Sequence, residues 1–266
     1  MEQAEDFRAE SRALHALIAP LDGAAMAQPT AFKGWTIDAV IQHLHFFNQA
    51  VILSIRDPEG MATFLAPLRA AMAGGRTMVD YTNEALDGLT GPALVATWAE
   101  TCEATADAFL GVDPKARLKW AGPDMSARSS ITARLMETWA HGQEIYDQLG
   151  VVREDADRIR NIAVLGVNTY GWTFANREET PPEPKPFVRL DAPSGAVWEF
   201  GEPSESERVE GSATEFCQVV AQTRNIADTS LKTTGPNATR WMAIAQCFAG
   251  KPETPPAPGV RGIRKG

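Results

Sequence analysis

Apolar residues recur at helical spacing from the start of the chain to about residue 176, broken by glycine and proline rather than by strand-like alternation. Residues 5 to 20 place Phe7, Leu14, Leu17 and Ile18 along one side and stop before Asp22-Gly23. Thr36 stands where a helix cap belongs, with Asp38 at the positive end that follows. Ile37, Val40, Ile41, Leu44, Phe47, Val51 and Ile52 then give that helix its apolar face as far as Pro58. Further helices are predicted over 61 to 73, closed by Gly74-Gly75, and from Pro92 through Trp98, Cys102 and Phe109. Two more run from Thr132 to Leu149, closed by Gly150, and over 154 to 176.

The texture changes at Thr180-Pro181-Pro182-Glu183-Pro184-Lys185-Pro186, where successive prolines forbid a helix and favour an extended linker. Phe187-Val188-Arg189-Leu190 and Val197-Trp198-Glu199-Phe200 flank a turn-rich segment ending at Gly195, the pattern of a hairpin, and Arg208-Val209-Glu210 offers another strand. Helical patterns return over 212 to 224 and 236 to 249. The pattern therefore predicts an α + (α+β) protein. Its parts are a helical domain at 1–177, a Pro-rich linker at 178–186, a small α+β domain at 187–250 and a flexible tail at 251–266.

Charge narrows the partners. Lys+Arg 25 against Asp+Glu 34 gives a net charge of −9, and the one cationic cluster, Arg261, Arg264 and Lys265, falls in the tail, where it reads as a frayed end. No basic stripe is available to follow a phosphate backbone, so nucleic acid is not an expected partner. Three cysteines without a C-x-x-C pair argue for a reducing cytoplasm, and no apolar run approaches the ~20 residues of a membrane span. The expectation is a soluble cytoplasmic protein. G-x-G-x-x-G after a strand, G-x-x-x-x-G-K-[ST], G-x-S-x-G and H-E-x-x-H are all missing from the sequence.

The histidines are His15, His43, His45 and His141. His43 and His45 are separated by about 200° around their helix, so at most one can face a given site. Glu137 and His141 are only about 40° apart on theirs, and a carboxylate and an imidazole so placed can share a metal ion. An imidazole from a facing helix would complete a His₂Glu set with an open coordination position, as catalysis requires. The competing reading is an exposed i,i+4 pair. Leu135, Trp139, Gly142, Tyr146 and Leu149 form an apolar stripe, with Glu137, His141, Glu144 and Gln148 on the polar side opposite. His15 lines its helix, and His45 beside Phe46 and Phe47 reads as a hydrogen-bonded core or boundary histidine.

Gly34-Trp35-Thr36-Ile37-Asp38-Ala39-Val40-Ile41-Gln42-His43-Leu44 resembles the W-T-x-x-x-V-x-x-H-L signature of the DinB-like, mycothiol-dependent maleylpyruvate isomerase superfamily. Ala133-Arg134-Leu135-Met136-Glu137-Thr138-Trp139-Ala140-His141-Gly142 resembles its second signature, E-x-x-x-H on a later helix. The segment from Trp120 to Arg128 and the stretch from Trp241 to Gly250 are similar to a little-characterised metal-binding branch with a sterol-carrier-like C-terminal domain. The resemblance implies a four-helix bundle in which His43, Glu137 and His141 hold a divalent metal, usually zinc, with His45 left out.

It also implies a low-molecular-weight thiol as co-reactant, and an isomerase or transferase acting on a small electrophile in a pocket between bundle and C-terminal module. Fe(II) would suit the same donors, and hydrolysis, hydration or elimination by metal-bound water is an alternative. So is a non-catalytic metal- and lipid- or acyl-binding protein. Trp120, Pro123 and Met125, on the loop before the second ligand helix, are candidate pocket walls, with ordinary packing the competing reading. Arg224 falls near a basic position that related enzymes aim at the metal, the competing reading being a solvated helix-end arginine. Glu144, one turn beyond His141, is a candidate to support the ligands from behind.

Overall fold

The computed structural model describes residues 1–120 and 124–264, which divide into two compact units, Met1–Gln148 and Leu149–Gly266. The first holds α1 (Glu2–Ile18), α2 (Gly23–Met26), α3 (Ile37–Arg56), α4 (Pro58–Ala73), α5 (Met78–Ala85), α6 (Gly91–Leu110), a short hairpin of β1 (Arg117–Leu118) and β2 (Met125–Ser126), and α7 (Ala127–Gln148). Helices α1, α3, α6 and α7 form the bundle, and α4 and α5 pack on α3. Trp98, Trp139, Phe7, Phe109 and Leu14 are fully buried at its centre.

Local chemistry fixes where α3 begins. Thr36 Oγ1 accepts from the Ala39 amide at 3.1 Å, the bond an N-cap supplies. The buried Asp38 carboxylate accepts from the Gly91 amide at 2.7 Å, pinning the first turn of α3 to the first turn of α6. Burial raises the Asp38 pKa while this hydrogen bond lowers it, and burial prevails. On the outer side of α3, Phe46 and Ala50 join Met61, Leu65 and Leu68 of α4 in a second apolar cluster.

Helix α7, which carries Glu137 and His141, departs from the amphipathic reading. Its apolar residues Leu135 and Trp139 are buried, and so are Thr132, Arg134, Thr138, Gln143, Glu144 and Asp147. On the side expected to face solvent, Glu144 is buried and Glu137, His141 and Gln148 are half-buried, because α7 packs against both α1 and α3. A helix enclosed on several sides keeps polar groups inward only where they find partners or a function.

In the second unit, a short 3₁₀ turn, Asp157–Ile159, leads into α8 (Arg160–Asn168) and α9 (Tyr170–Ala175). The sheet follows with β3 (Phe187–Asp191), β4 (Val197–Phe200) and β5 (Arg208–Ser212), then α10 (Ala213–Val220), β6 (Lys232–Thr234) and α11 (Pro236–Ile244). The strand order is β4-β3-β5-β6; β3 pairs antiparallel with β4 and parallel with β5, and β5 pairs antiparallel with β6. The helix expected over 154 to 176 is broken at Thr169, whose Oγ1 bonds back to the Leu165 carbonyl at 2.8 Å. Its earlier part is extended, with the buried Asp155 paired to Arg153 at 3.3 Å and accepting from Thr214 Oγ1 at 2.8 Å.

These helices belong to the second unit and not, as the 1–177 boundary had it, to the first. Gly166 shows why: a Cβ there would lie 2.8 Å from Val220 and 3.1 Å from Phe216, so α8 and α10 meet almost backbone to side chain. Nor do the described residues from 251 onward hang free. Gln222 Nε2 donates to the Ala245 and Glu253 carbonyls, Asn225 Nδ2 to that of Pro256 at 2.7 Å, and Arg261 Nη1 to Gln222 O at 2.7 Å. Lys265 lies outside the described residues.

Candidate metal centre

Residues 29–36 and the two long helices α3 and α7 assemble the site. His43 of α3 and Glu137 and His141 of α7 offer ligand atoms that all lie within 4.8 Å of one another, the one such group among the described residues. His43 Nε2 is 3.3 Å and His141 Nε2 3.4 Å from the same oxygen, Glu137 Oε2. Tetrahedral zinc with bonds of about 2.0–2.1 Å sets its ligands about 3.3–3.4 Å from one another. Both nitrogen–oxygen separations match that edge, and neutral imidazoles with a carboxylate are donors zinc accepts. The set fits the ion.

Electrostatics leave His43 and Glu137 in the ligating state. Burial lowers the His43 pKa to about 4; the Glu137 hydrogen bond opposes this, while the charges of His141 and Arg134 add to it, so the imidazole is neutral at pH 7. Burial by itself would raise the Glu137 pKa, but hydrogen bonds from His141 and His43 outweigh it and hold the carboxyl well below the usual range. The Glu137 side chain is 27% exposed against 12% for each histidine, so the approach from solvent is on the carboxylate side.

Aromatic rings cover the imidazoles. Phe32 meets His141 edge-on at 4.9 Å, Trp35 stacks on His141 at 6.0 Å with planes 8° apart, and Trp35 also touches His43 at 5.5 Å. Phe47, one turn beyond His43, lies 4.9 Å from it. The loop that delivers Phe32 and Trp35 is tied by Thr30, whose amide and hydroxyl both donate to the Trp35 carbonyl, and it reverses at Lys33 (φ 52°) and Gly34 (φ 71°). Spacing from His43 locates Phe47; nothing periodic locates Phe32.

The remaining expected residues separate. Trp120 packs on Phe47 at 6.2 Å and so reaches the site through one intervening ring. Met125 is half-buried in β2, opposite Leu118. Pro123 lies outside the described residues. Glu144 is buried on α7 beyond His141. Arg224 belongs to the second unit, buried just past α10 with Nη1 donating to the Thr223 carbonyl at 2.8 Å, and is not a solvated arginine. His45 is buried with its Nε2 3.1 Å from Gln49 Nε2, turned away from the triad, and His15 is half-buried on α1.

Residues 7–146 match the family model of the mycothiol maleylpyruvate isomerase N-terminal domain. The chain belongs to that family. Two relatives, the uncharacterized proteins MT0041 and Rv0036c of Mycobacterium tuberculosis, are each 40% identical to it over 247 residues, 93% of this chain and 95% of theirs. The crystal structure of the mycothiol-dependent maleylpyruvate isomerase has a TM-score of 0.54 at 15% identity, covering 83% of this chain and 88% of that one. A histidine-to-alanine mutant of that enzyme gives 0.53 at 16% identity, over the same shares. The fold is therefore that of the maleylpyruvate isomerases: a helical bundle followed by a small α+β unit. Among the described residues, no helix is long and apolar enough to cross a membrane.

Proposed function

We propose that this protein is an isomerase or transferase that holds a divalent metal, zinc by its donor chemistry, on His43, Glu137 and His141. It would use a low-molecular-weight thiol on a small electrophilic substrate. The observation that carries the reading is the convergence of those three side chains, with both imidazole–carboxylate separations at a tetrahedral edge, in a chain of the maleylpyruvate isomerase family. A divalent ion bound there would supply a positive centre that lowers the pKa of a coordinated thiol or water toward neutrality. The protein's share is to keep His43 neutral and Glu137 ionised, and to shield the imidazoles with Phe32, Trp35 and Phe47.

The nucleophile is expected from outside the chain, since all three cysteines are buried. In the solved relative the thiol is mycothiol. Elemental analysis of the purified protein, followed by a panel of thiols and electrophiles, tests the proposal. One zinc per chain and thiol-dependent turnover are expected, both lost in His43→Ala with the helical signal intact. Full turnover in that variant refutes the reading, and turnover without any thiol transfers it to metal-water chemistry.

A further inference from the structure

Arg134 is a buried guanidinium that donates hydrogen bonds to neutral acceptors on α3. Its Nε donates to Asn48 Oδ1 at 3.0 Å and its Nη2 to the Leu44 carbonyl at 3.2 Å, so two donors of the guanidinium grip one turn of α3. That turn starts at the residue after His43. On α7, Arg134, Glu137 and His141 follow at i, i+3 and i+7, within about 60° of one another around the helix. The guanidinium thus continues the ligand stripe by one turn, and Glu137 is the carboxylate that attracts it. Asn48 is itself fixed, its Nδ2 donating to Cys102 Sγ of α6 at 3.4 Å.

A guanidinium cannot shed its charge, and burying one costs several kcal/mol unless it is well bonded. An apolar residue at 134 would fill the space between two packed helices without that cost. The chain instead keeps a rigid fork that spans a side-chain amide and a main-chain carbonyl in one plane. The fork fixes both the rotation and the axial position of α3 against α7. Those are the two coordinates that decide whether His43 Nε2 meets Glu137.

We infer that Arg134 is a positioning residue for the metal centre: its clasp on the Leu44–Asn48 turn sets the register of α3 on α7 that closes the His43–Glu137–His141 triad. The inference rests on the metal reading above. Groups that hold ligands in place are worth ~10–100-fold in metal affinity. Asn48→Ala removes one acceptor while leaving the charge, and Arg134→Lys keeps the charge without the planar fork.

The test is zinc affinity by competition with a chromophoric chelator, with the Co(II) absorption spectrum as a second readout. Both are measured on the full chain, with folding checked by circular dichroism. Each variant is expected to lose at least tenfold in zinc affinity and to show an altered Co(II) spectrum while remaining helical. The double variant should bind no more weakly than Arg134→Lys alone, because both changes break one contact. If Arg134→Lys fails to fold, Asn48→Ala carries the test. Folded variants with wild-type zinc affinity and an unchanged spectrum would overturn the inference while leaving the metal reading intact. Tighter zinc binding would also overturn it, by showing that the guanidinium only repels the cation. A wild-type protein that binds neither zinc nor cobalt would overturn both.

Discussion

Glu137 is half-shielded from water, yet two imidazoles keep it ionised. Replacing it by glutamine preserves its shape and removes only the charge. Glu137→Gln is therefore expected to weaken zinc binding by more than the ~10–100-fold that a group behind the ligands contributes, with little change in melting temperature of the metal-free protein. Competition with a chelator measures this directly. The buried thiols make a separate prediction. Burial pushes Cys102 up to about 12 and Cys217 well above its ordinary value.

Neither should react with a thiol reagent at pH 8 until the chain unfolds, and mass spectrometry of labelled protein would show it. Since the folded pKa lies above the unfolded one, the stability these thiols contribute is intact below the ordinary cysteine value. It then declines as pH rises through that value toward 12. Urea titrations at pH 7.5 and pH 10 test the sign. At this scale the sequence shows that His43 and His45 cannot both face one site, but helix phase alone does not choose between them. The choice depends on which side of α3 meets α7, a fact of packing that the resemblance supplied and spacing could not.

Elements with their own caps are legible in the chain. Thr36 and Pro92 mark the starts of α3 and α6, and Gly74 and Gly150 follow the ends of α4 and α7. Thr36→Ala should cost about 1 kcal/mol, seen as a lower urea midpoint. What escapes the pattern is set by neighbours. Helix α5 and strand β6 are too short to show a period. The stretch over 154 to 176 carries helical spacing throughout, but Thr169 and the close approach at Gly166 divide it and dock it on α10. Gly166→Val should destabilise the second unit by about 1–3 kcal/mol, because the added methyl groups meet Val220 and Phe216. Helix α7 is the clearest failure of periodicity. Its polar residues read as a solvent face only if one side of the helix is free, and here Glu144 on that side is buried and Glu137 and His141 are half-buried.

For the molecule as a whole, the two-part plan follows from the change of composition at the prolines, whereas the actual divide at Gln148/Leu149 does not. That boundary is decided by which core claims α8 and α9, and apolar spacing is equally good for either. His43, Glu137 and His141 lie within the first unit. Zinc at a hundred times its dissociation constant would stabilise that unit by about 2.7 kcal/mol. Chelation should therefore speed amide hydrogen exchange in α3 and α7 and leave β3 and β5 unchanged; an equal response in both units would contradict a site confined to the bundle.

Trp35 gives the protein a built-in signal. Its indole lies parallel to the His141 ring and touches His43, so any ion drawn between the two imidazoles alters the electronic surroundings of that one fluorophore among seven. Filling of the centre can then be followed by emission intensity in unmodified protein, with Trp35→Phe as the control expected to lose the response, at concentrations too low for absorption spectroscopy.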